Sequence, residues 1–331
     1  MSESREKFEE EKPEDPERTS GLMRVVGVTP EKKEKILSAV KETRFDKQAN
    51  YEQEREKTPE EMQIVNGILS YLPGFVKKYG GKAVPLRPEH LHIIDASKLT
   101  EEERKICETR NGFYKHELQR AVVVVYSIKR DVLTFALTAT HELIHFNSFQ
   151  SDTGEDNKTG PMVLTKRREG LLVTEKNAGD KKPYFFDLNE GITAELEKRF
   201  DEEYFKLIPA LSENIKEREE FRDAWDERHP EQDKEPIASI TITKRELDSR
   251  GEIHKDAALI GYGYDSQRKK LWQVIKEIRE KNPGEFELDE DVFNIFAKTY
   301  FTGKLLPIAR LIEKTYGKGS FRKLGRETKI K

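Results

Sequence analysis

The chain has 331 residues, of which 37% are charged and 35% hydrophobic, with a net charge of −3 and one cysteine, Cys107. That length supports one large domain or two modest ones, and the nearly balanced charge gives no global field toward nucleic acid or anionic lipid. A single cysteine excludes an internal disulfide, no run approaches the roughly eighteen apolar residues of a spanning helix, and MSESREKFEE lacks the apolar stretch of a secretory signal. The expectation is a soluble, cytoplasmic protein with neither membrane nor nucleic-acid partner.

Residues 1–60 hold 16 acidic and 13 basic side chains and few apolar ones, a composition that stays extended or forms a solvated helix without its own core. Over 59–80, Met62, Val65, Ile68 and Leu69 fall at helical spacing, and Gly80–Gly81 close the helix unless Pro73 ends it earlier. EHLHIID (89–95) alternates like a strand, and 98–107 reads as a short glutamate-rich helix. RAVVVVYSI (120–128) is the most β-branched run in the chain and predicts a central strand buried on both faces. Residues 131–150 predict a helix capped by Asp131, and SDTGEDNKTGP (151–161) a loop. Two strand-like pieces follow, 162–175 and 182–188, separated by a turn at 177–182. A further helix starts at Asn189.

From about 206 the chain becomes helical and charged. Residues 213–235 predict a surface helix broken at Pro230, and 238–244 an isolated strand. Leu271, Val274, Ile275 and Ile278 share one face of a helix. DEDVFNIF (289–296) reads as a helix start with acidic residues at its positive end. These readings divide the chain into a charged segment (1–60), a core (61–205) and a mainly helical C-terminal lobe (206–331).

Only one stretch, LTATHELIHFN (137–147), places two histidines four apart around a glutamate. On a helix, His141 and His145 lie one above the other and can turn imidazole nitrogens toward one ion. Glu142 projects beside that ion, where a base must sit to take a proton from metal-activated water. A catalytic site needs a third protein ligand and an open fourth position. The positions three and six residues beyond His145, where one arrangement needs glycine and histidine, are Ser148 and Ser151, which leaves a glutamate from a separate downstream helix.

Residues 187–197 read DLNEGITAELE, and LNEG together with HELIH resembles the motif pair of the gluzincin zinc metallopeptidases, the thermolysin-like peptidases and gluzincin aminopeptidases among them. The resemblance implies Zn2+ held by His141, His145 and Glu190, with Glu142 as general base. It implies an α+β fold, with a zincin-like core of small mixed sheet, metal helix and ligand helix, and an all-helical C-terminal lobe. The implied activity is hydrolysis of a peptide or protein substrate. Tyr262, Tyr264 and His254 are candidates, by position, for stabilising the oxyanion.

The chain also departs from the pattern. Between His145 and Glu190 lie 44 residues, room for an inserted hairpin. The aspartate that thermolysin-like peptidases place four residues after the ligand glutamate is here Ala194, and Glu195 lies about 140° around the helix from Glu190. Either another carboxylate fixes the histidine tautomer, or the support around the ligands is weaker than in those peptidases. The aminopeptidases' amine-anchoring motif is missing, which favours endopeptidase action. The rival readings are a catalytically silent scaffold that keeps the fold, and a regulatory peptidase with a single target.

Overall fold

The computed structural model describes residues 29, 31, 54–95, 98–101, 112–115, 120–125, 132–155, 163–174, 183–228, 237–241 and 258–326. Most of the charged segment, most of the 98–107 helix, the Asp131 cap, the 177–182 turn, the Pro230 break and His254 lie outside these residues. Within them the fold is a mixture of α-helices and small β-sheets, mostly helical. No helix among them is long and apolar enough to cross a membrane.

Helix α1 (Pro59–Lys78) begins with a capping box between Thr58 and Glu61, and Arg55 clamps the Glu61 carboxylate at 2.6 and 2.7 Å. It runs through Pro73 rather than ending there. A proline inside a helix costs about 3 kcal/mol. Phe75 and Val76 beyond it are fully buried, and at about 1.5–3 kcal/mol each they offset that cost. Gly80, at φ 75°, then turns the chain out of the helix.

Strands β1 (Glu54–Arg55), β2 (Leu91–Asp95), β3 (Gly112–Lys115) and β4 (Arg120–Val125) form one sheet in the order β1-β2-β4-β3. β2 and β4 are parallel, while β1 and β3 pair antiparallel with them. The valine-rich strand is therefore internal, as its composition predicts, and β1 and β3 are the outer strands among the described residues. Helix α2 (Val132–Asn147), which carries the histidines, lies against β3 and β4.

Residues 151–155 correct the expected loop. β5 (Gln150–Glu155) pairs antiparallel with β6 (Val163–Glu169), with a bulge at Ser151/Asp152. Its Asp and Gly content signals a turn only locally, and ladder pairing with β6 overrides that signal. β7 (Leu172–Val173) completes a three-stranded sheet, so the expected insertion between His145 and Glu190 is a β5–β6–β7 meander. The strand expected over 182–188 reduces to a bridge between Val173 and Tyr184. Helix α3 (Phe186–Tyr204) starts three residues before Asn189.

The C-terminal portion contains α4 (Ser212–Arg228), β8 (Ile237–Thr241), β9 (Ala258–Gly261), α5 (Asp265–Lys281), α6 (Asp289–Thr302), α7 (Leu305–Tyr316) and α8 (Ser320–Arg326). The lobe is therefore not all-helical. The strand expected to be isolated pairs antiparallel with β9, a partner too distant in sequence to be read from local composition. One apolar cluster joins Ile64 and Phe75 of α1, Leu143 of α2, Ile192 of α3, Val274 of α5 and Phe293 of α6.

Two glycines in helices test how tightly this packing is set. A methyl group on Gly191 of α3 would lie 2.6 Å from the carbonyl oxygen of Gln267 on α5, whereas one on Gly74 of α1 meets nothing within 4 Å. In denaturant unfolding, Gly191→Ala is expected to destabilise by about 1–3 kcal/mol through overpacking. Gly74→Ala is expected to stabilise by about 0.5–1 kcal/mol.

Candidate metal centre

Helix α2 is buried on nearly every side, polar groups included: Thr140, His141, Glu142, His145 and Asn147 are all in the interior. Most buried polar groups find partners. Asn147 receives Val84 N–H at 2.9 Å and donates to the Leu143 carbonyl. The two histidine rings lie 4.9 Å apart, as the four-residue spacing requires.

Glu190 of α3 closes the group. Its Oε2 lies 3.6 Å from His141 Nε2 and 3.4 Å from His145 Nε2. Ligands bound at about 2.0–2.1 Å to a tetrahedral ion lie about 3.3–3.4 Å apart, so the spacing fits a shared ion. His141, His145 and Glu190 are a buried group that can hold a metal ion.

The outer nitrogens of both rings face carboxylates. His141 Nδ1 donates to Glu197 Oε2 at 2.8 Å, and His145 Nδ1 faces Glu169 Oε1 at 3.2 Å. A carboxylate only accepts, so with an ion bound each ring would keep its proton on Nδ1 and turn the Nε2 lone pair to the ion. Glu197 supplies the orienting carboxylate that the alanine at 194 cannot. It follows Glu190 by seven residues, about 20° short of two full turns, and so shares its face. Glu195 points elsewhere and accepts from Arg199, Arg268 and Trp272. Lys166 holds Glu169 at 2.6 Å. The Tyr300 hydroxyl of α6 lies 3.4 Å from His145 Nδ1 and 3.0 Å from Thr193 Oγ1.

These charges set each other's protonation. Burial opposes charge on His141, but hydrogen bonds to Glu190 and Glu197 outweigh it and raise its pKa to about 9. His145 is likewise raised against the effect of burial, by Tyr300, Glu190 and Glu169. Burial works against the charge of Glu169 too, yet His145 and Lys166 hold its pKa near 2. Glu190 is held well below the carboxylate range by His145 and His141. Glu142 goes the other way, up to about 7, because burial penalises its charge more than the two histidines favour it. Among the described residues the Glu142 carboxylate has neither a hydrogen-bond nor a salt-bridge partner.

The motif after the hairpin has a physical reading. Asn189 Oδ1 accepts Leu171 N–H at 2.9 Å and so ties the β6–β7 turn to the ligand helix. Gly170 in that turn has φ 55°, and a Cβ there would sit 2.5 Å from the same oxygen. From the other side, Phe149, just past α2, donates to the Tyr300 carbonyl at 3.0 Å.

The three residues chosen by position fare differently. Tyr262 is buried and its hydroxyl donates to Asp201 at 2.5 Å, an acid also clamped by Arg218, so this tyrosine holds α3 to the chain before α5. Burial and Asp201 raise its pKa. Tyr264 does reach the centre: its ring stacks on that of His141 with centroids 5.3 Å apart and planes 10° from parallel. It is 39% exposed, and its backbone is left-handed at φ 56°. His254 lies outside the described residues. Sequence reasoning missed Glu197, Glu169 and Tyr300. The seven-residue spacing signalled the first, while nothing local marked the other two.

No protein-family model matches the chain, and no curated protein or solved structure matches it either.

Elemental analysis after dialysis against divalent metal is expected to find one ion per chain. His145→Ala and Glu190→Gln are expected to abolish it. Glu197→Gln is expected to keep the fold by circular dichroism while weakening affinity by about 10- to 100-fold.

Proposed function

We propose that the protein is a zinc-dependent peptidase of the gluzincin kind, with His141, His145 and Glu190 as ligands and Glu142 as general base. The observation that carries this reading is Glu142. It is buried beside the donor group, yet it neither belongs to that group nor pairs with another described residue. A purely structural site has no use for such a carboxylate, and structural zinc sites favour four protein ligands rich in cysteine. Two imidazoles and one carboxylate suit zinc. The order of metal helix, hairpin and ligand helix is that of the zincin core which the sequence resembles.

Zinc in such a site supplies Lewis acidity, lowering the pKa of water toward about 7 and polarising a carbonyl. The chain's own residues do the rest. Glu142 accepts one proton from the attacking water as the oxygen bonds to the carbonyl carbon. It then passes that proton to the amide nitrogen as the carbon–nitrogen bond breaks, and the second proton of the water moves from the new carboxylic acid to the amine, leaving a carboxylate and an ammonium product. Glu197 and Glu169 keep the two rings from rotating while this happens. Tyr264, exposed and stacked on His141, is the described tyrosine placed to touch a bound substrate. The edge of β3, unpaired among the described residues, offers backbone groups to an extended peptide.

The test is mass-spectrometric mapping of cuts in a diverse peptide library, for wild type and Glu142→Gln, with and without chelator. Internal cuts that need both metal and Glu142 are expected, with the variant retaining its metal and slowed by about 10²–10⁴-fold. Cleavage by Glu142→Gln at the wild-type rate would sink the assignment.

A further inference from the structure

The face of α6 turned away from the metal centre borders a groove of about 490 Å³ between α6, α7 and the turn before α6. Its floor is apolar, made by Phe286, Ile295 and Leu311, and its rim carries Lys298, Lys304 and Arg310. All three cations are exposed. Several cations of the C-terminal helices are paired: Arg268 with Glu195, Lys270 with Asp187, and Arg279 with Asp289. Among the described residues, Lys298, Lys304 and Arg310 have no acidic partner. A fourth rim cation, Lys314, is matched by Glu285 of the same groove. Three uncompensated positive charges thus gather over one apolar floor, in a chain whose net charge is −3.

We propose that this groove binds a small organic anion with an apolar body, a carboxylate on an aliphatic or aromatic moiety. The volume is that of a small-molecule site, about 300–1,000 Å³. The floor provides the area that removes an apolar body from water, and the rim provides charge-assisted hydrogen bonds to the head group. The two demands belong to one ligand, because the rim cations and the floor residues line the same groove. The groove is separate from the donor group, since α6 presents Ile295, Lys298 and Thr302 to it and Tyr300 to His145. The proposal is therefore independent of the peptidase reading.

Calorimetric titration of the full chain with decanoate, and in parallel with 1-decanol and with inorganic phosphate, tests it. Decanoate is expected to bind saturably at one site per chain, at least tenfold more tightly than either probe that lacks one half of its chemistry. Lys298→Ala/Lys304→Ala/Arg310→Ala is expected to weaken decanoate at least tenfold. Removing the same charge from the exposed Lys77, Lys216 and Lys276 is expected to change it less than twofold. Thr302→Glu, which adds a negative charge to the groove wall, is expected to weaken it as well. Equal binding of decanoate and decanol, equal loss in both triple variants, or no saturable binding would each overturn the proposal.

Discussion

A pair of buried imidazoles can face one ion only if each ring is prevented from turning and each proton is kept on the far nitrogen. Here both conditions are met by carboxylates that come from outside the histidine helix. Glu197 reaches His141 Nδ1 from the ligand helix, and Glu169 faces His145 Nδ1 from the hairpin. The centre is thus assembled from three elements, and the position of each is fixed by the other two. This requirement accounts for much of the surrounding packing.

The hairpin must bring Glu169 to the ring at the same time as it hands the chain to α3. Asn189 does this by accepting the Leu171 amide, and Gly170 leaves room for its oxygen. Gly191, next to Glu190, lets the start of α5 approach α3 closely enough to carry Tyr264 over His141. The end of α6 is pinned to the residue after the histidine helix through Phe149 and Tyr300, and Arg168 donates to the Gly303 carbonyl at 2.7 Å. Loss of any of these contacts would be felt at the Nε2 atoms, although none of the contacting groups is a ligand.

Interior charge is expensive, costing several kcal/mol per ion even after relaxation, and this interior holds Glu142, Glu169, Glu190 and Glu197 around two histidines. Glu169, Glu190 and Glu197 each have a hydrogen-bonding or ion-pair partner that offsets the cost, whereas Glu142 has none among the described residues. A chain selected for stability alone would place an apolar residue there, as it does at Leu143 and Ile144 immediately after. Perturbed ionisable groups concentrate where chemistry is done, and the unpartnered carboxylate is the clearest such mark in the described residues.

The periodicity of an α-helix is contained in the sequence, and whatever depends on it alone was legible there: His141 over His145, Glu142 to one side, and the face that Glu190 shares with Glu197. The internal position of the valine strand and the acidic start of α6 follow from composition in the same direct way. Contacts across the chain are not carried by local pattern. Glu169 looks like an ordinary charged residue before a turn until the hairpin folds back on His145. Tyr262 and Tyr264 stand two apart in GYGYD, yet one is tied to Asp201 and the other lies on His141. Residues 151–155 read as a loop by their side chains and became a strand by pairing with β6. The sequence by itself determined which groups share a helical face, because 3.6 residues per turn is a local property. Only the tertiary structure decided which carboxylates meet which nitrogens, because those distances depend on how separate elements pack.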